Sequence, residues 1–234
     1  MNTTKFNDIV SDNRYERKFF VTDMSTTEIE SSIKINPYMF SNIFQPRYIN
    51  NIYFDSYDLN NYYDNVEGSE KRIKIRIRWY GDLFGYISNP TLEFKVKNGI
   101  LGKKISCKLP SFTFNSKFTN DIFKEIIENS NISNLCRIKL SDKVPTLLNR
   151  YERKYYISEN KKFRITIDKN QSFYQIGPRN NLFLNKIDDN SNTIIELKYS
   201  IENDISANKI TNYFPFRLTK SSKYVTGIEK VYIN

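Results

Sequence analysis

Polar and apolar residues alternate most regularly between Lys71 and Gly81, in the stretch KRIKIRIRWYG. Because neighbouring residues of a β-strand point to opposite faces, this alternation predicts a half-buried strand. Three isoleucines and a tryptophan fall on one face, and four cations fall on the other. We expect the cationic face to be either well solvated or in contact with an anion. The cations are Arg72, Lys74, Arg76 and Arg78.

A glutamate followed two residues later by a lysine recurs on other stretches with strand character. Residues two apart share a strand face, so each pair sets a carboxylate beside an ammonium group. If these strands are neighbours, their sheet has one apolar face and one charged face with an excess of positive charge. The pairs are Glu16 and Lys18, Glu93 and Lys95, Glu152 and Lys154, and Glu196 and Lys198.

The rest of the pattern predicts more strands than helices. The further strands are expected at 14–22, 48–55, 91–97, 103–109, 150–157, 162–168 and 193–201. The helices are expected at 25–35, 56–66, 120–129, within 132–148, and at 206–214. Asn98-Gly99 is a hairpin signal, and the Asn- and Asp-rich residues 177–192 are expected to form a loop.

Two stretches of the chain echo one another, RYERKFFV at 14–21 and RYERKYYI at 150–157. They suggest two halves that each open with the same kind of charged strand. The hairpin signals favour antiparallel pairing, and no βαβ rhythm is present. An antiparallel sheet can remove its edges by closing into a barrel. We therefore expect an α+β fold, mainly antiparallel β, with a closed barrel, a polar and basic interior, and flanking helices.

The composition favours a folded chain with a polyanionic partner. The 234 residues include 36 basic and 26 acidic side chains, for a net charge of +10. Such an excess points to nucleic acid, an anionic membrane, a nucleotide or polyphosphate. Aromatic residues make up 15% of the chain, which argues against disorder. We expect a flexible N-terminus over residues 1–12 and a single domain over 13–234.

Several function classes are excluded by residues that the sequence lacks. Without histidine there is no Ser-His-Asp or Cys-His catalysis and no His-ligated zinc. Cys107 and Cys136 fit no metal spacing and favour a reducing compartment. No signal pattern or apolar run of membrane-spanning length is visible, so we expect a soluble, cytoplasmic protein. The segment GILGKK lacks Walker A spacing.

An ordered set of motifs from about residue 14 to residue 231 resembles the VTC domain. That family belongs to the triphosphate tunnel metalloenzymes, also called the CYTH superfamily. The resemblance implies an eight-stranded antiparallel tunnel that binds triphosphate and a divalent metal, Mn²⁺ or Mg²⁺. The motifs are RYERKFFV, YFDS, KIRIRWYG, LEFKVK, NRYERKYY, FRITID, IIELKY and KSSKYVTGIEK.

The resemblance also implies an activity. Relatives of the VTC type are polyphosphate polymerases, which move the γ-phosphate of ATP onto a growing polyphosphate chain. The implied partners are ATP and polyphosphate, and no nucleic acid is expected. The alternatives are a tunnel triphosphatase that hydrolyses inorganic or nucleoside triphosphate, and a polyphosphate-binding module without catalysis. The oligomeric state and any membrane partner stay open.

The same resemblance assigns roles to individual residues. Glu196 matches the metal-binding carboxylate. Arg14 stands where tunnel triphosphatases carry a first glutamate, which favours holding a polyanion over multi-metal hydrolysis. The catalytic residues are expected to be Arg76, Arg78, Lys95 and Lys223. The substrate-binding residues are expected to be Lys18, Lys74, Arg150, Arg164, Lys198, Lys220 and Ser222.

Two further assignments stay open from the sequence. Asp168 is either a second acidic contact to the metal or a turn residue. Tyr53, Tyr62 and Tyr63 are expected to pack in the core or against a helix, with nucleotide stacking as the alternative.

Overall fold

A large antiparallel sheet forms the centre of the computed structural model, which describes residues 14–99, 101–179 and 181–233. The strands are β1 (Arg14–Val21), β2 (Ser41–Asp55), β3 (Lys71–Tyr80), β4 (Gly85–Ile87), β5 (Thr91–Asn98), β6 (Leu101–Lys108), β7 (Phe112–Phe114), β8 (Val144–Ile157), β9 (Arg164–Gln175), β10 (Lys186–Asp189) and β11 (Thr193–Ser200). The helices are α1 (Thr26–Lys34), α2 (Asn60–Glu67), α3 (Asn120–Glu128), α4 (Asn134–Leu140), α5 (Asp204–Asn212) and α6 (Lys223–Ile228).

The main sheet runs in the order β1-β11-β9-β8-β2-β3-β5-β6, and β10 pairs with β9 beside this path. Every pairing in it is antiparallel. A separate small sheet joins β4 to β7. The expected α+β class with mainly antiparallel strands is therefore confirmed.

The expected closed barrel is not what the pairing shows. Among the described residues, the path begins at β1 and stops at β6, and no strand pairing joins these two ends. The returning chain occupies the free edge of β1: the Thr219 amide donates to the Lys18 carbonyl at 2.9 Å. The Phe20 amide in turn donates to Thr219 Oγ1 at 2.9 Å. The sheet is nevertheless strongly curved, since strands near its two ends come into contact. Lys95 Nζ on β5 lies 3.2 Å from Glu16 Oε2 on β1.

Two apolar clusters cover the outer face of this curved sheet. One joins β2, β3 and β5 to α3 and α4, and Phe54 of β2 stacks on Phe123 of α3 at 4.1 Å. The other joins β1, β9 and β11 to α1 and α5. Because apolar area is buried on the outside, the polar side chains of these strands point to the inner face.

Strand β3 follows the alternation expected from its sequence. Ile75, Ile77 and Trp79 are 2% exposed or less and join the outer cluster of α3 and α4. The Trp79 indole donates to the Asp82 carbonyl at 2.9 Å, which satisfies its one polar group. The arginines and lysines of β3 are consequently held on the inner face.

A third apolar cluster lies on the inner face and anchors α6 there. Tyr224 and Ile228 of α6 pack against Tyr53, Leu147 and Phe173 of the sheet. The Tyr224 hydroxyl also hydrogen-bonds the Asp55 carboxylate. Helix α6 therefore covers one end of the inner face.

The predicted elements differ from the structure mainly at their ends. Strand β2 begins at Ser41, seven residues before the expected start. The expected helical span 132–148 contains only α4, because β8 already begins at Val144. Strand β10 lies inside the expected loop 177–192, and α6 and the β4–β7 sheet were not predicted. The N-terminus expected to be flexible, 1–12, lies outside the described residues.

Replacing Gly227 of α6 with alanine tests how tightly the helix is held. The new Cβ would collide with Leu147 and lie 2.7 Å from Phe173 Cδ1. Leu147 and Phe173 are both fully buried, so the added methyl group has no free space around it. We therefore expect Gly227→Ala to lower the free energy of unfolding by about 1–3 kcal/mol. Urea denaturation measures this. Gly177→Ala is the control, since its Cβ meets nothing within 4 Å, and an equal loss there would contradict the account.

Candidate functional site

Charged side chains from seven strands and α6 converge on the concave side of the sheet. We call this set the charged inner face. It mixes carboxylates with a larger number of cations, and ion pairs link strands that are far apart in sequence. Its members are Glu16, Lys18, Lys74, Arg76, Arg78, Glu93, Lys95, Lys104, Arg153, Asp168, Glu196, Lys198 and Lys223.

Glu93 of β5 holds three cations in place. Arg76 binds it through Nε at 2.8 Å and Nη2 at 2.6 Å. Arg78 Nη1 lies 3.5 Å and Lys104 Nζ 2.8 Å from its other oxygen. Burial opposes ionisation, yet Arg76, Arg78 and Lys104 hold the pKa of Glu93 well below its usual value. The two expected catalytic arginines are thus brought together by a carboxylate to which the sequence analysis assigned no role.

A second cluster surrounds Asp168, which is fully buried. Arg153 binds both of its oxygens, at 2.5 and 2.6 Å, in a fork geometry. Lys223 Nζ lies 2.6 Å from the same carboxylate and 4.6 Å from the centre of the Tyr151 ring. Although burial opposes ionisation, Arg153 and Lys223 lower the pKa of Asp168. Asp168 therefore positions two cations and is not a turn residue.

Glu196, the expected metal ligand, is also surrounded by cations. Lys18 lies 3.3 Å from one oxygen, and Lys198 at 2.9 Å and Arg153 at 3.7 Å lie near the other. Burial opposes ionisation, but Lys198, Lys18 and Arg153 hold the pKa of Glu196 well below its usual value. The carboxylate is therefore an anion at neutral pH.

The side chains near Glu196 limit the kind of metal site that this part of the structure can form. No group of three or more acidic or cysteine side chains comes together as a metal centre anywhere in the described ranges. Hard divalent cations such as Mg²⁺ bind through one or two carboxylates together with water and phosphate oxygens. A divalent metal at this site would therefore have Glu196 as its protein ligand, in place of contacts with Lys18 and Lys198, and would take its other ligands from water and the phosphates of a bound ligand.

On β3, β5 and β6, lysines and arginines of the inner face lie directly opposite one another. Lys95 is the register partner of both Lys74 and Lys104, and Arg72 is opposite Lys97. Directly opposed like charges destabilise a sheet. Burial, and then the repulsion of Lys18, Lys95 and the neighbouring arginines, lowers the pKa of Lys74 to about 7. A bound polyanion would remove this repulsion.

The remaining expected site residues are placed nearer the rim. Ser222 accepts a hydrogen bond from Lys74 Nζ at 2.7 Å and caps α6, which ties that helix to β3. Lys220 is exposed two residues before it. Arg164 is the register partner of Lys198 and is exposed at the start of β9. These residues surround the charged inner face without entering its buried part.

Arg150 is the one expected substrate-binding residue that the structure places on the other side of the sheet. Its guanidinium stacks on Tyr48 at 4.0 Å, and both side chains line an outer cavity of about 510 Å³. The reason is strand parity, since the inward residues of β8 are Tyr151, Arg153 and Tyr155. The expectation that Arg150 joins the other cations is therefore wrong, and Arg153 takes that place.

Arg153, Glu93 and Lys104 belong to the charged inner face but were not among the site residues expected from the sequence. The sequence did not separate Arg153 from Arg150, because both faces of β8 carry charged and aromatic residues. Leu148 and Tyr156 both join outer apolar clusters, which sends the even-numbered residues of β8 outward and the odd-numbered ones inward. The Glu-x-Lys pattern on β1 suggested the opposite parity for its echo on β8.

The sequence model of the VTC domain matches residues 13–232, so the chain belongs to the VTC domain family. A comparison with curated proteins found no match. Among the described residues, every helix is too short or too polar to cross a membrane.

Similar solved structures have low sequence identity to this chain. The PH1819 protein from Pyrococcus horikoshii OT3 has a TM-score of 0.49 and 13% identity, over 92% of this chain and 96% of that one. A putative adenylate cyclase from Vibrio parahaemolyticus has a TM-score of 0.48 and 10% identity, over 90% and 95%. A putative adenylyl cyclase from Hippeastrum, described with a dominant triphosphatase activity, has a TM-score of 0.49 and 12% identity, over 90% and 93%.

Matched substitutions of Arg150 and Arg153 test which of the two arginines of β8 belongs to the charged inner face. Arg153→Lys keeps the charge but removes the guanidinium fork, so we expect the Kd for inorganic tripolyphosphate to rise about tenfold. Arg150→Lys makes the same change on the outer face and should alter that Kd by less than about twofold. Isothermal titration calorimetry measures both. A larger effect at Arg150 than at Arg153 would contradict the assignment.

Proton uptake tests the repulsion around Lys74. With a pKa of about 7, Lys74 is largely neutral at pH 8, whereas its ordinary pKa is 10.5. A bound anion raises the pKa toward that value, so binding of tripolyphosphate at pH 8 should take up as much as about one proton at this residue. Calorimetry in buffers of different ionisation enthalpy measures it. Lys74→Arg, which is always protonated, should show less uptake; unchanged uptake would disprove the assignment.

Proposed function

We propose that the protein is a polyphosphate polymerase that transfers the γ-phosphate of ATP onto a polyphosphate chain held at the charged inner face. The observation that carries the proposal is the set of directly opposed cations, of which Lys74, Lys95 and Lys104 form one row. Glu93 and Glu16 offset part of the repulsion in this row, and a chain of phosphates would offset the rest along its whole length. Membership of the VTC domain family supports the same ligand.

The buried arginines are suited to hold a triphosphate. Arg76 and Arg153 bind Glu93 and Asp168 through Nε and Nη2, which leaves their Nη1 groups, together with the Arg78 guanidinium, to donate to phosphate oxygens. Their carboxylate partners, Glu93 and Asp168, hold the guanidinium groups in position before a ligand arrives. Because the groups are already oriented, little reorganisation is needed as charge develops during transfer.

Lysines supply charge where the phosphate chain needs less directional contact. Lys223 lies between Asp168 and the Tyr151 ring at the buried centre, and Lys18 lies beside Glu196. Lys95 is more than half exposed and reaches across the gap between the ends of the sheet. We assign Lys223 to the transferred phosphate, and Lys18 and Lys95 to the rest of the chain.

The transfer itself needs no histidine. An oxygen at the end of the polyphosphate chain attacks the γ-phosphorus of ATP, and the bond from that phosphorus to the bridging β,γ-oxygen breaks. ADP leaves with the electron pair, and the chain is longer by one phosphate. The attacking oxygen is already anionic, so its proton does not have to be removed.

Glu196 would hold a divalent cation, Mn²⁺ or Mg²⁺, together with phosphate oxygens of the bound ATP. When bound, such an ion neutralises charge on the transferred group and on the leaving diphosphate. Glu196 must then exchange its contacts with Lys18 and Lys198 for the ion, which leaves both lysines available to the phosphate chain.

The location of the charges favours a narrow polyanion over a nucleic acid duplex. The cations that the sequence singled out on β3, β5 and β11 line a concave face, where Arg76, Arg78, Lys95 and Lys198 pair with carboxylates. Nucleic-acid binding favours cations on an outer groove with exposed aromatic side chains between them. Hydrolysis of triphosphate at the same residues, with water in place of the phosphate chain, is the second candidate, since it needs the same positioning.

Product analysis with labelled ATP tests the proposal. We expect γ-labelled ATP with Mn²⁺ or Mg²⁺ to yield a ladder of polyphosphate chains on a gel. Lys223→Met, which keeps the length of the side chain without its charge, should lower kcat by about a hundredfold or more. Lys124→Met on the exposed surface of α3 is the control for lost charge and should keep the wild-type rate.

Each other product identifies a different function. Labelled orthophosphate without a ladder would replace the polymerase with a triphosphatase. Tight binding of polyphosphate without turnover under either metal would leave a binding module. Neither binding nor turnover would remove the assignment of the charged inner face to phosphate altogether.

A further inference from the structure

We propose that an exposed aromatic cluster at the end of the inner face opposite α6 binds the base of a nucleoside triphosphate. This inference rests on the proposed function, because it concerns the part of the substrate that the charged residues do not hold. We call the cluster the mouth platform. It consists of Phe44, Arg47, Tyr80 and Tyr155.

Strand register places the mouth platform next to the phosphate-binding arginines. Tyr155 follows Arg153 by two residues on the same face of β8. Phe44 of β2 is opposite Tyr155, and Arg47 is opposite Arg153. A ligand whose phosphates lie against Arg153 therefore has its next chemical group at the mouth platform.

The same relation holds on the neighbouring strand. Tyr80 follows Arg78 by two residues on the inward face of β3 and is opposite Ile49 of β2. Strand β3 ends there, so the first half of β2, from Ser41 to Tyr48, has no sheet neighbour on that side among the described residues. The resulting edge leaves room beside the platform.

The side chains of the platform form a partial stack with open surfaces. The Arg47 guanidinium lies 4.6 Å from the centre of the Phe44 ring and 5.4 Å from that of Tyr155. The two rings meet edge to face at 5.6 Å. Phe44 is 52% and Tyr80 53% exposed. Within the described ranges, Arg47 forms no ion pair with a carboxylate, so its charge is available to a ligand.

A base suits this surface better than the interior does. A nucleobase is uncharged and has two flat faces, and it gains by stacking on aromatic rings and on arginine. Inside the charged inner face, an uncharged base would have to displace the ion pairs of Glu93 and Asp168. A phosphate group carries charge itself and can bind there while part of these ion pairs is kept. The platform thus provides stacking where the charged inner face ends.

The other tyrosines considered for stacking are either buried or lie on α2, which packs against α6 at the opposite end of the inner face. Tyr53 and Tyr62 are 4% and 6% exposed, and both pack with Tyr224 of α6. Tyr63 is exposed but lies on α2, whose partner Tyr62 belongs to that apolar cluster. The platform is therefore a solvent-exposed aromatic surface that adjoins Arg78 and Arg153 in strand register.

A comparison of ATP with inorganic tripolyphosphate isolates the contribution of the base. Both Kd values are measured by calorimetry at one fixed Mg²⁺ concentration for the wild type, Phe44→Leu and Arg47→Ala. We expect each variant to weaken ATP binding about tenfold and tripolyphosphate binding by less than about twofold. Phe44→Tyr, which keeps an aromatic ring, should restore the affinity for ATP.

Lys124→Ala on the exposed surface of α3 is the control for the charge lost in Arg47→Ala, and it should leave both affinities unchanged. Thermal melting of Phe44→Leu shows whether the edge of β2 still folds, and Tyr80→Leu provides a second variant on a different strand. Equal weakening of the two ligands, or none, would overturn the base-binding inference while the triphosphate site stands. Failure of wild-type protein to bind tripolyphosphate would overturn the proposed function instead.

Discussion

Repulsion among inward-facing cations is the constraint on which the rest of the structure depends. Four carboxylates, Glu16, Glu93, Asp168 and Glu196, are placed among these cations, and each contacts at least two of them. Buried cations without such partners would lose their hydration with nothing in return. The carboxylates therefore make the charged inner face stable enough to exist, and they leave an excess of positive charge for a ligand.

The carboxylates also separate the inner face into parts with different chemistry. Around Asp168 and Glu93 the cations are fixed by short contacts, which suits groups that must be oriented for a reaction. Around Lys74 and Lys95 like charges face one another, and Glu16 offsets only part of this repulsion. The first part is suited to positioning, and the second is suited to a long anion whose exact register matters less.

The end of the chain completes this site from outside the sheet. Residues leading to α6 take the free edge of β1 through Thr219, and Ser222 then binds Lys74 before the helix begins. Lys223 enters the buried centre as a result. One segment thus covers an exposed strand edge and supplies a cation, and the apolar contacts of Tyr224 and Ile228 hold it there.

The sequence by itself determined that the strands pair in an antiparallel sheet with one charged face. In β1, β3, β5 and β11, charged residues alternate with apolar ones, so only the apolar face of each strand can be buried. The order of the motifs along the chain also identified the VTC domain family. Tertiary structure decided the parity of β8, where both faces carry charge and aromatic rings, so Arg153 and not Arg150 turns inward. It likewise decided that Thr219 rather than β6 pairs with β1, and that Glu93 joins Arg76 to Arg78. These outcomes depend on which distant segments meet, and local alternation carries no information about that.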